Sequence, residues 1–150
     1  MKAQLIVTAA GLGERLGYNI PKALVPVAGT PLLIHTLRKF RSIEFHGDTI
    51  VTAPPGFEPG FQNTIAKHHA AAGYRVIAGG ETRQDSVGNA LAALDEETEV
   101  VVVHDAARPF VDPATTRRSM DLAAEYGAAT VALRCADTIL EEDHEQFLVN

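Results

Sequence analysis

The segment EVVVVHDAARP, residues 99–109, indicates the fold class of the chain. Its first half is a continuous run of β-branched residues, which is typical of a strand buried on both faces in a parallel sheet. The apolar run stops at a carboxylate, Asp105, and open α/β sheets bind ligands at the carboxyl ends of their strands. Asp105 therefore has two interpretations: a turn residue, or a metal ligand beside a phosphate and the cation of Arg108.

Composition and charge fit one folded domain of 150 residues, because 46% hydrophobic and 21% charged residues argue against disorder. The net charge of -6 without a basic stripe argues against nucleic acid as a partner. The single cysteine, Cys135, excludes an intrachain disulfide and fits a reducing compartment. The amino-terminal apolar run is too short for a signal peptide, and no stretch is long enough to span a membrane. We therefore expect a cytoplasmic protein with no membrane partner.

Strand-like and helix-like segments alternate along the chain. Thr30 is expected to cap the first helix, and Gly73 and Gly127 are expected to end the second and fourth. The alternation predicts an α/β fold with an open, doubly wound, mostly parallel sheet. The predicted strands are residues 3–9, 48–53, 74–78, 99–103 and 128–133, and the predicted helices are residues 31–40, 61–72, 84–94 and 113–126.

The end of the sequence is acidic over residues 141–145 and then apolar over residues 147–149. The apolar run resembles a strand that begins just before the sequence stops, with no closing element after it. We therefore expect the chain to be truncated.

Three loops follow three predicted strands, and the carboxyl ends of parallel strands share one edge of the sheet. The first loop is AAGLGERLG at residues 9–17, followed by Pro21 and Lys22. Its glycines let backbone amides approach a polyphosphate, and Arg15 and Lys22 add the positive charge that a phosphoryl transition state needs. The glycine spacing fits neither the dinucleotide fingerprint nor the Walker phosphate loop, so a flexible turn with two solvated cations is the alternative.

The second loop is GGETRQDS at residues 79–86. Its two glycines free the backbone for close contact with a flat base, and Ser86 can form a hydrogen bond with a base edge. Thr82, Asp85 and Ser86 also suit the start of a helix, and the two roles are compatible.

The third loop begins at Asp105, whose carboxylate suits Mg²⁺, an ion that usually takes one or two carboxylates plus substrate phosphates. Arg108 is expected to serve the phosphates or to fix the loop. His104 is expected to be structural because it belongs to the end of the strand. The other histidines show no metal-ligand pattern with Cys or Glu.

The three loops together resemble the 2-C-methyl-D-erythritol 4-phosphate cytidylyltransferases, enzymes of the non-mevalonate isoprenoid pathway. The similarity lies in AAGLGER with Pro21-Lys22, in GGETRQDSV and in HDAARP, and the order and spacing match as far as about Thr138. It implies a Rossmann-like, GT-A-like nucleotidyltransferase domain over residues 1–150. It also implies a β-arm that begins near residue 137 and exchanges across a homodimer.

The resemblance further implies a reaction in which methylerythritol phosphate attacks the α-phosphate of CTP and releases pyrophosphate. Arg15 and Lys22 would be catalytic, Asp105 would hold Mg²⁺, and Arg108 and Thr138 would bind the second substrate. The residues that it implies for nucleotide binding are Ala9, Ala10, Gly11, Gly13, Gly80, Glu81, Arg83, Ser86, Asp105 and Ala106.

Two departures from the family pattern are visible. Ala23 stands where the family often has Gln, a side chain that is not the charged group. The family's second metal-binding Asp, catalytic Lys and substrate-binding Arg and Thr come after Asn150 and cannot be assigned here. Two alternatives stay open: another sugar-alcohol or sugar-phosphate nucleotidyltransferase, or a nucleotide-binding module without catalysis.

Overall fold

The structure is a computed structural model that describes residues 1–13, 17, 20–70, 73–135, 141–142 and 148–149. A short 3₁₀ turn at Lys22–Leu24 precedes the first hairpin. In chain order the strands and helices are β1 (Ala3–Thr8), β2 (Pro26–Val27), β3 (Thr30–Pro31), α1 (Leu32–Phe40), β4 (Thr49–Ala53), α2 (Glu58–His68), β5 (Tyr74–Ala78), α3 (Arg83–Leu91), β6 (Val100–Asp105), α4 (Pro113–Tyr126), β7 (Glu141–Glu142) and β8 (Leu148–Val149).

The main sheet has four strands in the order β5-β4-β1-β6, and all three pairings are parallel. The chain runs from β1 outward to β4 and β5 and then returns to the other side of β1 to form β6. The direction of winding therefore reverses between β1 and β6. In open α/β sheets ligands bind in the crevice at such a reversal, outside the carboxyl ends of the strands. The predicted α/β class with a mostly parallel sheet is confirmed.

Helices cover both faces of the sheet because successive residues of β1 point to opposite sides. Leu5 and Val7 face the larger core with α1, α2 and α4, whereas Ile6 faces the smaller core with α3. Burying a large apolar side chain contributes about 1.5–3 kcal/mol, so these two cores fix β1 at the centre. The largest members from the helices are Leu33, Ile34, Leu37 and Phe40 of α1, Phe61 and Ile65 of α2, and Met120 of α4.

Strand β6 extends two residues beyond its predicted end at Val103. His104 and Asp105 still pair with β1, opposite Val7 and Thr8 respectively. Asp105 is therefore the last residue of a strand rather than the first residue of a loop, and its pairing with β1 sets the position of its backbone.

The predicted cap at Thr30 is wrong. Thr30 pairs with Val27 in the β2–β3 hairpin, and Pro31 precedes α1 without a side-chain cap. The hairpin turns at Ala28 and Gly29, which both have positive φ angles, of 50° and 77°. Because Thr30 is committed to the hairpin, its side chain does not cap the helix.

The other helix ends agree in part with the sequence predictions. Helix α2 begins at Glu58 and ends at His68, where His69 adopts the left-handed conformation, so Gly73 does not end it. Gly127 does end α4, with φ 87°. Helix α3 begins at Arg83 after a capping box between Thr82 and Asp85, and it stops at Leu91, three residues before its predicted end.

The predicted fifth strand at residues 128–133 is also wrong. These residues are described, and they are exposed and pair with no strand of the described chain. A β-rich composition produces a strand only where a partner supplies the ladder and covers one face. Within the described residues, no helix is both long and apolar enough to cross a bilayer.

Strands β7 and β8 form a separate antiparallel pair, with Glu141 opposite Val149 and Glu142 opposite Leu148. The predicted strand at residues 147–149 is therefore present in part. The dimerisation role of this region stays a prediction, and residues 136–140, where the arm is predicted to begin, lie outside the described residues.

Candidate functional site

A cleft of about 570 Å³ opens at the carboxyl edge of the sheet, where the loops after β1, β5 and β6 meet. Gly13 lies outside the lining but contacts Lys22, as described below. Arg15 and Thr138 lie outside the described residues. The predicted site residues that line the cleft are Ala9, Ala10, Gly11, Lys22, Gly80, Glu81, Arg83, Ser86, Asp105, Ala106 and Arg108.

The carboxylate of Asp105 contacts three other residues that line the cleft. Its Oδ1 accepts from Thr8 Oγ1 at 3.1 Å and from Arg83 Nε and Nη2 at 3.1 and 2.9 Å. Its Oδ2 lies 3.0 Å from Arg108 Nε. One carboxylate thus joins β1, α3 and the turn after β6.

Burial raises the pKa of the Asp105 carboxyl, but hydrogen bonds from Arg83 and Thr8 and the charges of Arg83 and Arg108 lower it by more. The net pKa lies below its ordinary value, so the group is ionised at neutral pH. No group of three or more metal-ligating side chains occurs among the described residues. A single carboxylate fits Mg²⁺, since this ion takes its remaining ligands from substrate phosphates and water.

Lys22 reaches the cleft because Gly13 makes room for it. Gly13 has φ +72°, and a Cβ built on it would lie 2.5 Å from Lys22 Cβ. The left-handed conformation and the close approach both require glycine. The start of the same loop is anchored by the Ala9 amide, which lies 3.1 Å from the Thr52 carbonyl oxygen and 3.2 Å from Thr52 Oγ1.

The second loop packs directly on the first. A Cβ at Gly79 would lie 2.4 Å from Ala10 Cβ, so the two loops touch backbone to side chain. Ser86 is buried, and its Oγ accepts from the Gly80 amide at 3.0 Å and donates to the Thr82 carbonyl oxygen at 3.0 Å. The helix-start interpretation of this loop is confirmed. The base-binding interpretation stays a prediction.

The third loop is held by residues that the sequence patterns did not indicate. Thr36, in the buried face of α1, donates from Oγ1 to the Ala106 carbonyl oxygen at 2.7 Å. His104 stacks edge-on against Phe40, with ring centroids 5.0 Å apart, and its Nε2 lies 2.9 Å from the Arg108 carbonyl oxygen. The structural role expected for His104 is confirmed. The sequence offered one indication of the role of Thr36, which is a hydroxyl residue within the otherwise apolar face of α1.

A parallel sheet whose winding reverses between β1 and β6, with a glycine-rich loop and a cation-lined cleft at that point, defines a Rossmann-like α/β protein whose ligand site lies at the reversal. The family model of 2-C-methyl-D-erythritol 4-phosphate cytidylyltransferase (IspD) matches residues 3–150. The chain belongs to this family.

Several proteins of that name are similar to the chain. The one from Solibacter usitatus is 36% identical over 146 residues, which are 93% of this chain and 60% of the relative. The one from Alkaliphilus metalliredigens is 39% identical over 149 residues, 99% of this chain and 62% of the relative. The crystal structure of 4-diphosphocytidyl-2C-methyl-D-erythritol synthase from Anaerococcus prevotii matches with TM-score 0.81 and 26% identity, covering 98% of this chain and 61% of that one. The chain thus spans about three fifths of the length of these relatives.

Proposed function

We propose that this chain forms the nucleotide-binding part of a cytidylyltransferase that joins CTP and 2-C-methyl-D-erythritol 4-phosphate in the non-mevalonate isoprenoid pathway. The observation that carries the proposal is the convergence of three loops on one cleft, with the ionised Asp105 at its centre. The names of the relatives support the choice of both substrates.

The reaction forms a bond between a phosphate oxygen of methylerythritol phosphate and the α-phosphorus of CTP, and it breaks the bond from that phosphorus to pyrophosphate. Such a transfer depends on positioning and on stabilising the charge that develops on phosphate oxygens. Lys22 enters the cleft beside the glycine loop and is our candidate for this stabilisation. Arg15 is the second candidate by sequence alone.

In the proposed site Asp105 holds Mg²⁺, which when bound neutralises the triphosphate charge. We assign the ribose and base to the backbone of Ala9, Ala10, Gly80 and Glu81, together with Ser86. This assignment is supported by the place of these residues around the cleft. Gly11 and Ala106 line the same cleft and belong to the proposed nucleotide site.

Arg83 and Arg108 flank Asp105 and are mostly exposed, with 63% and 75% of their side-chain surfaces accessible. Exposed guanidinium groups beside the cleft are suited to contact phosphates, and we assign Arg83 to the nucleotide and Arg108 to the second substrate. Thr138 remains a proposal from sequence alone. We also propose a homodimer formed through the β7–β8 region and a cytoplasmic location, which analytical ultracentrifugation and cell fractionation test.

The test measures pyrophosphate release by the full-length protein with CTP, methylerythritol phosphate and Mg²⁺. We expect turnover that needs all three, falls at least tenfold with UTP, ATP or GTP, and is lost in Asp105→Asn. Turnover only with another acceptor, such as ribitol 5-phosphate, would show that the second substrate is a different sugar-alcohol phosphate. Binding of CTP without turnover on any acceptor would overturn the catalytic proposal.

A further inference from the structure

The turn of residues 105–108 carries two charged groups of the cleft, Asp105 and Arg108, yet two side chains that do not line the cleft hold its backbone. Within the turn, the Arg108 amide donates to the Asp105 carbonyl oxygen at 3.0 Å. From β1, the Thr8 carbonyl oxygen accepts from the Ala106 amide at 3.0 Å. Two further backbone contacts come from the side chains of Thr36 and His104.

Thr36 is fully buried, at 0% exposure, and it does not line the cleft. Its hydroxyl lies 2.7 Å from the Ala106 carbonyl oxygen but 3.4 Å from the Leu32 carbonyl oxygen of its own helix. A hydroxyl has one proton to donate, and the shorter distance assigns it to Ala106. Ala106 is itself 2% exposed, so its carbonyl oxygen depends on this donor.

His104 secures the other end of the turn. A carbonyl oxygen only accepts, so the 2.9 Å contact to the Arg108 carbonyl oxygen requires that His104 Nε2 carries a proton. The ring is held in place by Phe40, which lies four residues after Thr36 and therefore on the same face of α1. One face of α1 thus supports both ends of the turn.

We propose that Thr36 and His104 are positioning residues of the cleft, which fix the 105–108 turn so that the Asp105 carboxylate and the Ala106 backbone face the nucleotide. Neither side chain touches the cleft, and each acts through a backbone carbonyl of the turn. The proposal rests on the proposed nucleotide and Mg²⁺ site. It extends that site to α1, a helix that supplies none of its lining residues.

The test compares variants of the full-length protein that separate the hydroxyl from the shape of the side chain. Thr36→Val keeps the shape and removes the donor, whereas Thr36→Ser keeps the donor. Thr116→Val is the matched control, because Thr116 is also buried but donates to the Asp112 carbonyl oxygen within its own helix region. For each variant, calorimetry gives the Kd of CTP at saturating Mg²⁺, and a Mg²⁺ titration at fixed CTP gives the half-saturating concentration.

We expect Thr36→Val to raise both values at least fivefold, and Thr36→Ser and Thr116→Val to stay within twofold of the wild type. Equal values for Thr36→Val and the wild type would overturn the proposal, and so would a Thr36→Ser variant as impaired as Thr36→Val. His104→Phe is an independent variant should Thr36→Val not fold, because it keeps the ring against Phe40 and removes the contact to Arg108. It is expected to raise both values likewise, and wild-type values would again overturn the proposal.

The binding readout separates this inference from the proposed function. If the wild type binds CTP with Mg²⁺ but transfers nothing to methylerythritol phosphate, the proposed function is wrong. The CTP and Mg²⁺ affinities of the variants still test the inference in that case. If the wild type turns over normally and the Thr36→Val and His104→Phe variants bind as well as the wild type, the inference is wrong and the proposed function stands. A wild type that binds no CTP overturns both.

Discussion

Arg83 and Asp105 form a bidentate contact across the cleft, in which Nε and Nη2 of the arginine both donate to Oδ1, at 3.1 and 2.9 Å. Arg83 is the first residue of α3, and Asp105 is the last residue of β6. The contact therefore joins the second and third loops of the site. It also places a guanidinium next to the proposed metal ligand.

Replacing Arg83 by Gln is expected to raise the pKa of Asp105 relative to the wild type, because Thr8 and Arg108 then remain as its partners. The titration is followed by NMR of the Asp105 carboxyl carbon. We also expect weaker CTP binding, by about tenfold, in line with the loss of one charge-assisted contact of about 1.5 kcal/mol. Thermal stability should change by about 1 kcal/mol or less, since Arg83 is mostly exposed.

Arg75→Gln is the matched control for Arg83→Gln. Arg75 also pairs with an aspartate, since its Nη2 lies 2.8 Å from Asp95 Oδ1, but it lies near the start of β5, at the opposite edge of the sheet. The Arg75→Gln variant should leave both the Asp105 titration and the CTP affinity unchanged. An unaltered Asp105 titration in Arg83→Gln would show that the bidentate contact does not form in solution.

Gly13→Ala is expected to displace Lys22 and lower kcat/KM at least tenfold. The added Cβ would lie 2.5 Å from Lys22 Cβ, and the φ of +72° adds backbone strain of about 1–3 kcal/mol. Gly17→Ala separates the two effects, because Gly17 has a similar φ of +67° and no described residue has an atom within 4 Å of its Cβ position. Steady-state kinetics and thermal melts should show comparable destabilisation but a larger loss of activity at Gly13. Equal kinetics in the two variants would contradict a role for the Gly13–Lys22 contact.

Gly79→Ala tests the contact between the first and second loops. Its Cβ would meet Ala10 Cβ at 2.4 Å and Ser86 Oγ at 2.8 Å, so one loop must move. Overpacking of this kind costs about 1–3 kcal/mol, and we expect CTP affinity to fall at least tenfold. Isothermal titration calorimetry measures the affinity, and denaturant unfolding measures the cost.

The control for Gly79→Ala lies on the neighbouring helix. Gly88 is within α3, and in the described part of the chain no atom lies within 4 Å of its Cβ position, so Gly88→Ala should stabilise the protein by about 0.5–1 kcal/mol without changing affinity. Undiminished CTP binding by Gly79→Ala would mean that the nucleotide does not depend on the packing of these loops.

Local patterns predicted most of the fold and failed where pairing decided the outcome. The run of four valines at residues 100–103, followed by His104 and Asp105, predicted a buried parallel strand at the ligand-binding edge, and β6 lies there. Thr30 has the residue type of a helix cap, but its backbone pairs with Val27 instead. Residues 128–133 have the composition of a strand and no partner among the described residues. Pairing partners lie far along the chain, so a local pattern does not reveal them.

The same distinction applies to the site. The glycine loops and Asp105 were visible because short motifs carry their chemistry, and the strand ends brought them together. Thr36 was missed because its contact with Ala106 spans 70 positions, and a threonine within an amphipathic helix has an ordinary structural role as well. Residues that contact a ligand often belong to recognisable sequence motifs, whereas residues that position those contacts need not belong to one.

The depressed pKa of Asp105 predicts that its contribution to stability depends on pH. A carboxyl whose pKa is lower in the folded than in the unfolded state stabilises the fold above its unfolded pKa of about 4. That contribution is lost as the pH falls through the lower, folded pKa. Asp105→Asn is therefore expected to destabilise the protein at pH 7 by about 1 kcal/mol or less, because the arginines of these ion pairs are mostly exposed. The destabilisation should become progressively smaller below pH 4.

Denaturant unfolding from pH 7 down to the acid limit of the folded state measures this difference between Asp105→Asn and the wild type. Asp121→Asn, which removes an exposed carboxylate from α4, controls for the change in net charge. At neutral pH the Asp105→Asn variant leaves the cations of Arg83 and Arg108 without their shared counter-ion, and acidification produces the same state in the wild type. The two unfolding curves must therefore converge at low pH, and a pH-independent gap would assign the destabilisation to packing rather than to charge.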